Sequence, residues 1–381
     1  MLKSSIINIE SLFNSLKNNT SKSSIMKECG ELFYREKFEE KLDNNPNLIG
    51  FTNGVFDLET YEFRDGQLDD YISFTTDIAY HPYDNTISEN KEIYDEILTF
   101  LRQIQPKEDM SHYLLMITSM FLQGGNTQQK FYILYGALGR NGKSAFLKLL
   151  EKTFGDYLGI LNITQITRKR ASANEANSGL FKSKGKRIML LQEPSENEKM
   201  ETGIMKELTG GDTITCRTLY SEEIQFKPQF HPILVCNHLP KIMSMDGGTW
   251  RRIRVMEFYC QFLDNPDPNE PFEFKKDSFL EDKFEEWKEY FMSMLIYYHK
   301  IYKENGITEP EDVLKCTKEY QNESDYFTQY IEDCIINTYK RDINNVLSAD
   351  IDYVTYTDIY NNAKQWYKDN IWGGESAYGD V

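Results

Sequence analysis

Between Met1 and Lys41 the apolar positions Ile6, Ile7, Ile9, Leu12, Phe13 and Leu16 recur at helical spacing on a polar background, which predicts a thin amphipathic stripe on a peripheral helix. From residue 45 the pattern changes to short apolar runs. NPNLIGFTNGVFDLET sets one run on either side of Asn53-Gly54 and predicts a β-hairpin, and YISFTTDIAYHPYD predicts one further strand stopped by Pro82. Residues 91–123 return to helical spacing in EIYDEILTFLRQI and SHYLLMITSMFLQ, divided by Pro106 and closed by Gly124-Gly125, so two helices are expected to pack as a collar. Beyond them come four short β-prone runs, at Phe131–Tyr135, in KRIMLLQEP (186–194), in HPILVCNH (231–238) and after Arg252. The first leads into a helical pattern marked by Phe146, Leu147, Leu149 and Leu150. Strands alternating with helices predict an α/β core with a parallel sheet and flanking helices.

Composition narrows the class without naming a chemistry. A chain of 381 residues has room for two or three domains, and 40% apolar with 27% charged residues is the balance of a soluble globular protein. No apolar run approaches the ~20 residues of a membrane span, and the N-terminal stretch lacks a signal-peptide cleavage pattern, so a cytoplasmic or nuclear location and no membrane partner are expected. The six cysteines are scattered without a C-x-x-C pair, and the five histidines do not cluster with them. That argues against a zinc site and a disulfide framework. Net charge is −17, yet residues 131–260 hold 19 Lys and Arg against 13 Asp and Glu, a net of +6 inside an otherwise acidic chain. The basic block is where a nucleic-acid strand is expected to run.

Candidate chemistry lies in the same block. The run 131–135 enters a glycine-bearing turn, Gly136-Ala137-Leu138-Gly139-Arg140-Asn141-Gly142, followed by Lys143-Ser144-Ala145 and the helix. Strand, glycine loop and helix N-terminus together make a phosphate cradle. Backbone N–H groups wrap phosphate oxygens, Lys143 reaches the β and γ phosphates, and the Ser144 hydroxyl ligates Mg²⁺. The strict spacing puts the first glycine five residues before Gly142, where Ala137 stands; the turn either holds an extra residue or uses Ala137. Glu193, ending the 186–194 strand, is the candidate for the Mg²⁺ shell and the attacking water. Asn237 ends the next strand with an amide that can hold that water. Arg251 and Arg252 precede the last strand, and either guanidinium fork suits a γ phosphate bound by a neighbouring subunit. Arg168, Lys169 and Arg170 form a basic triplet in a loop rich in small polar residues.

In order, GALGRNGKS, LLQEP, KELTGGDTITCR, ILVCN and GGTWRRIRV strongly resemble the superfamily 3 helicases, nearest to the poxvirus-type and the phage and plasmid primase-helicases. The resemblance covers about residues 40–370. It implies an AAA+ core with Walker A at 136–144, Walker B ending at Glu193, the B′ motif from Lys206 to Arg217, and motif C ending at Asn237. It also implies a pore-lining hairpin over Thr213–Phe230, whose cations are Arg217 and Lys227 and whose tip carries Glu222 and Glu223. ATP, Mg²⁺, single-stranded DNA, a hexameric ring and a primase domain or subunit are the ligands and partners so implied. The expected division is a peripheral helical segment (1–41), a β-rich and helical collar module (42–125), the ATPase core (126–262) and a helical, winged-helix-type segment (263–381). No room for a primase half exists before residue 40, so the chain is expected to be a stand-alone helicase or the C-terminal part of a longer polypeptide. The alternative to DNA unwinding is a ring ATPase that remodels protein or packages DNA.

Overall fold

The computed structural model describes residues 2–168, 177–194, 198–217, 223–334 and 355–370. The chain forms two compact units, Met1–Asn44 and Asn45–Val381. In the first, the expected apolar stripe Ile6–Leu16 lies wholly on α1 (Leu2–Lys17), and the single peripheral helix expected over this segment is instead broken into α1, α2 (Asn19–Leu32) and the one-turn α3 (Phe38–Lys41). The break comes at Asn18. Its backbone is extended and its side-chain oxygen accepts the Thr20 N–H at 3.0 Å, which caps a new helix instead of continuing the old one.

The second unit opens with β1 (Leu48–Phe51), β2 (Gly54–Asp57) and β3 (Glu62–Arg64), an antiparallel sheet whose first pair is the predicted hairpin. The strand expected within residues 71–84 is not formed. Tyr71 (φ 48) and Asp77 (φ 57) are left-handed, so a continuous ladder cannot run through the segment. Two backbone bonds of 3.0 Å, Thr76 N–H to Gly50 O and Thr52 N–H to Ile78 O, lay it beside β1. The collar helices follow as α4 (Ser88–Ile104) and α5 (Glu108–Met120).

The core then runs β4 (Phe131–Tyr135), α6 (Lys143–Phe154), β5 (Leu158–Leu161), α7 (Thr164–Thr167), α8 (Ser178–Phe181), β6 (Ile188–Gln192) and α9 (Thr202–Gly210). A ribbon of β7 (Ile214–Cys216) and β8 (Ile224–Phe226) leads to β9 (His231–Cys236), α10 (Gly247–Trp250) and β10 (Ile253–Glu257). The main sheet has the order β10-β4-β9-β6-β5 and is parallel throughout. Tyr132, Leu134, Ile188, Leu190, Ile233 and Val235 face a core shared with α4, α5 and α6; Phe131, Ile133, Met189, Leu191, Leu234 and Cys236 face a second one with Met205, Leu208 and Trp250. Because both faces are covered, these strands read as unbroken apolar runs. The chain continues through the parallel pair β11 (Gln261–Leu263) and β12 (Glu273–Lys275) to α11 (Leu280–Asn305), α12 (Glu311–Glu323), α13 (Tyr326–Cys334) and α14 (Tyr356–Asn370). α11 adds Phe284, Trp287 and Phe291 to the first core, and α12 adds Tyr320 to the second.

One buried cation ties the unit together. Arg187, just before β6, is 2% exposed and lies over the Tyr157 ring. Its Nε donates to Leu122 O at 3.2 Å, Nη1 to Gly185 O at 3.1 Å and to the Gln229 side chain, and Nη2 to Asn45 O at 3.0 Å and Leu48 O at 3.2 Å. A guanidinium offers five N–H donors in one plane, so this single side chain fastens β1, the chain leaving α5 and the start of β6.

Candidate functional site

Strand register brings the separate motifs to one edge. Tyr135 is opposite Cys236 and Gln192 is opposite Val235, so Gly136, Asn237 and Glu193 step off the carboxyl ends of three neighbouring strands, β4, β9 and β6. The Gly136 N–H donates to Cys236 O at 3.2 Å and the Glu193 N–H to Val235 O at 3.0 Å, continuing the ladders past the strands. With ~4.8 Å between strands, the three positions span about 10 Å. Glu193 is exposed and left-handed (φ 42), a backbone turn that carries the chain off the sheet edge immediately after β6.

Of Gly136 and Ala137, the glycine is the one the fold requires. A Cβ on Gly136 would lie 2.2 Å from Asn141 Nδ2, 2.6 Å from Phe258 O and 2.8 Å from Lys143 Nζ. Ala137, Leu138, Gly139 and Arg140 form the exposed arch of the loop, so the turn holds the extra residue. Asn141 pins the arch from beneath, donating to Leu138 O at 2.6 Å and Phe258 O at 3.3 Å. Gly142, at φ 84, starts α6 with its α-carbon against collar helix α4, where a Cβ would fall 2.4 Å from Ile104 Cγ2. Ser144 is exposed in the first turn of α6 and Ala145 packs against the first core.

Lys143 is 5% exposed, and its Nζ donates to Gly136 O and to Asn237 Oδ1, both at 3.0 Å. Burial pulls the ammonium below its usual range, opposed by Cys236 and Glu193. Burial also pushes the Cys236 thiol up to about 12, so at neutral pH it is uncharged and Glu193 is the group that favours the ammonium.

The arginine pair lies at the other end of the sheet. Ile253 is opposite Phe131, and the Phe131 N–H donates to Arg252 O at 2.8 Å, so Arg251 and Arg252 stand at the amino end of β4 while Gly136 stands at its carboxyl end. Five strand residues separate the two, about 17 Å. Arg252 is 9% exposed, with Nη1 on Gly248 O at 2.6 Å, whereas Arg251 is exposed.

In the β7–β8 ribbon, Ile214 is opposite Phe226 and Cys216 opposite Ile224. Arg217 therefore follows β7 toward the tip while the exposed Lys227 follows β8 at the root. The Asn177 N–H donates to Arg217 O at 2.9 Å, which brings the end of the segment that begins at the exposed Arg168 against the ribbon. Lys169, Arg170 and Glu222 lie outside the described residues. Among the described residues no group of three or more His, Cys, Asp and Glu side chains is placed to hold a metal ion, and no helix is long and apolar enough to cross a membrane.

Comparisons with known proteins find related viral proteins. A family model described as "D5 N terminal like" matches residues 2–106, and "Family of unknown function (DUF5906)" matches residues 134–252. "Putative helicase L207/L206" of Acanthamoeba polyphaga mimivirus is 39% identical over 375 residues, 96% of this chain and 38% of that protein. "Putative helicase 121R" of Invertebrate iridescent virus 3 is 31% identical over 384 residues, 96% of this chain and 39% of that protein. "Putative primase C962R" of African swine fever virus (isolate Tick/Malawi/Lil 20-1/1983) is 26% identical over 369 residues, 93% of this chain and 36% of that protein. The chain belongs to the viral primase-helicase family. It spans well under half the length of the relatives it matches.

In this chain, sequence reasoning passed over Gln129, whose Oε1 accepts from Nη2 of both Arg251 (2.6 Å) and Arg252 (3.0 Å). Nothing local marks it, because its partners lie 122 and 123 residues further along the chain. Lys206 and Asp246, joined at 2.8 and 2.9 Å, were equally unmarked as a pair.

Proposed function

We propose that this chain is the motor of a superfamily 3 DNA helicase. It hydrolyses ATP with Mg²⁺ and draws single-stranded DNA through a ring of identical subunits, six by family resemblance, at sites of viral DNA replication in the host cytoplasm or nucleus. The observation that carries the reading is the convergence of Lys143 Nζ, Asn237 Oδ1 and Gly136 O at 3.0 Å on the carboxyl edge where Glu193 also emerges. A Cβ at Gly136 would fill the space beneath Lys143, as expected of a loop whose backbone comes close to a ligand and its lysine.

In this reading the ammonium of Lys143 turns from its two oxygen acceptors to the β and γ phosphates, and the α6 N-terminus adds its N–H groups. Ser144 and Glu193 are hard oxygen donors, few in number, which suits an ion held mostly by water and phosphate. Bound there, Mg²⁺ would neutralise phosphate charge. Asn237 holds the attacking water and Glu193 accepts its proton. The water oxygen bonds to the γ phosphorus as the bond to the bridging oxygen breaks, releasing ADP and phosphate. Arg251 is too far from its own cradle to assist, and its exposure at the opposite sheet edge suits a site completed by the next subunit. Mixing Lys143→Ala chains with chains lacking both Arg251 and Arg252 should therefore restore turnover at mixed interfaces; no recovery at any ratio would sink the shared site.

Arg168, Lys169, Arg170, Arg217 and Lys227 are proposed to face the strand, and a relative named for a primase supports a primase partner. Changing Arg217 and Lys227 together to Ala should weaken single-stranded DNA binding and lower the slope of log affinity against log salt by about 1.4, ~0.7 for each phosphate that is no longer neutralised. Fluorescence titration at several salt concentrations checks this, and an unchanged slope moves the strand away from the ribbon.

A further inference from the structure

The turn bearing the arginines is held by a side chain from outside it. Gln129 sits two residues before β4 in a left-handed conformation (φ 55). Its Oε1 takes both arginine bonds and its Nε2 donates to Gly210 O at 3.4 Å. The orientation of that amide is fixed chemically: arginine only donates and a carbonyl only accepts. Arg252 keeps Gly248 O as a second acceptor, so it stays anchored without Gln129. Among the described residues, Gln129 is the hydrogen-bond partner of the Arg251 guanidinium. The next residue, Lys130, donates to Arg251 O at 3.2 Å and pairs with Glu309 at 3.2 Å, holding the backbone of the turn while Gln129 holds its tip.

Gly210 is the last residue of α9, and Gly211 (φ 77) turns the chain toward the β7–β8 ribbon. α9 is joined to the arginine turn a second time. Lys206 pairs with Asp246, which caps α10 by accepting from Thr249 N at 3.0 Å and Thr249 Oγ1 at 2.8 Å. The root of the ribbon and the arginine turn are thus linked at two points, and one of them is the amide that orients Arg251.

We propose that Gln129 is a positioning residue for Arg251 and that, through Gly210, it passes the state of the DNA-facing ribbon to the nucleotide site of the neighbouring subunit. This rests on the ring-ATPase reading above. A planar amide moves as one body, so a displacement of α9 that pulls Nε2 also moves Oε1 and with it the acceptor of Arg251.

Two variants separate the parts of the proposal. In Gln129→Ala the ATPase kcat should fall about ten- to hundredfold with KM for ATP changed less than about threefold, and single-stranded DNA should no longer raise kcat. Gln129→Glu keeps an acceptor for the arginines and loses the donor to Gly210, so it should recover basal kcat while DNA stimulation stays absent. Mixing Gln129→Ala chains, whose cradles are intact, with Lys143→Ala chains, whose arginine turns are intact, should restore turnover. Turnover and stimulation within twofold of wild type in Gln129→Ala overturn the positioning role, as does a loss of kcat that neither Gln129→Glu nor mixing relieves. Normal turnover in Lys143→Ala alone would instead remove the ATPase reading on which the proposal stands.

Discussion

Lys143→Ala is expected to reduce ATP turnover by at least about 10²–10³-fold, the cost of removing one preorganised charge from a transition state that spreads charge over phosphate oxygens. The structure makes the loss specific to the ammonium. Nζ is held by Gly136 O and Asn237 Oδ1 in a nearly closed slot, and burial sharpens any charge–phosphate attraction there. Lys143→Arg should not rescue, because a planar fork does not fit where a Cβ on Gly136 would already lie 2.8 Å from Nζ. The measurement is phosphate release with and without single-stranded DNA, beside a thermal melt to show that the fold is kept. Turnover within tenfold of wild type in Lys143→Ala would move the chemistry elsewhere.

The largest effect on stability is expected at Arg187. Arg187→Met fills much of the volume but leaves the carbonyls of Asn45, Leu48, Leu122 and Gly185 without their donor. Removing one side of a buried polar network costs about 3–5 kcal/mol, which corresponds to a fall in Tm on the order of 10 °C. Arg187→Lys should lie between the two, since an ammonium has three donors and cannot reach carbonyls spread across one plane. A melt by circular dichroism or calorimetry checks both, and a Tm within one degree of wild type in Arg187→Met would mean that the three segments are held by packing alone.

The parts of this fold visible in the sequence are those whose causes are local or repeated. Buried parallel strands announce themselves as apolar runs, and the glycine loop between β4 and α6 announces its turn. The first hairpin follows from the Asn53-Gly54 signal, shifted by one residue: Thr52 and Asn53 form its loop and Gly54 opens β2 opposite Phe51. What escaped depends on residues distant in the chain. The choice of Gly136 over Ala137 is made by Phe258 O and by the Asn141 amide folding back beneath the loop. Residues 71–84 have strand-forming composition, but Tyr71 and Asp77 adopt left-handed turns that composition does not reveal. Arg187 reads as the charged lead-in to a strand, and only the approach of Asn45, Leu48 and Leu122 makes it an anchor. Arg251 and Arg252 are equivalent as letters; burial and Gly248 O distinguish them.

The seat of Gly142 against Ile104 has a bearing on how such a protein can be taken apart. The floor of the glycine loop is laid by a helix that ends some 40 residues earlier, and Gln105 adds a bond from its Nε2 to Glu257 O at 3.0 Å. A recombinant piece beginning at β4 would keep every motif and lose the surface that shapes the first of them. Collar and α/β core are therefore expected to pass through evolution, and through expression vectors, as one inseparable part, with insertions and exchanges tolerated upstream of residue 45, where the chain divides into its two compact units.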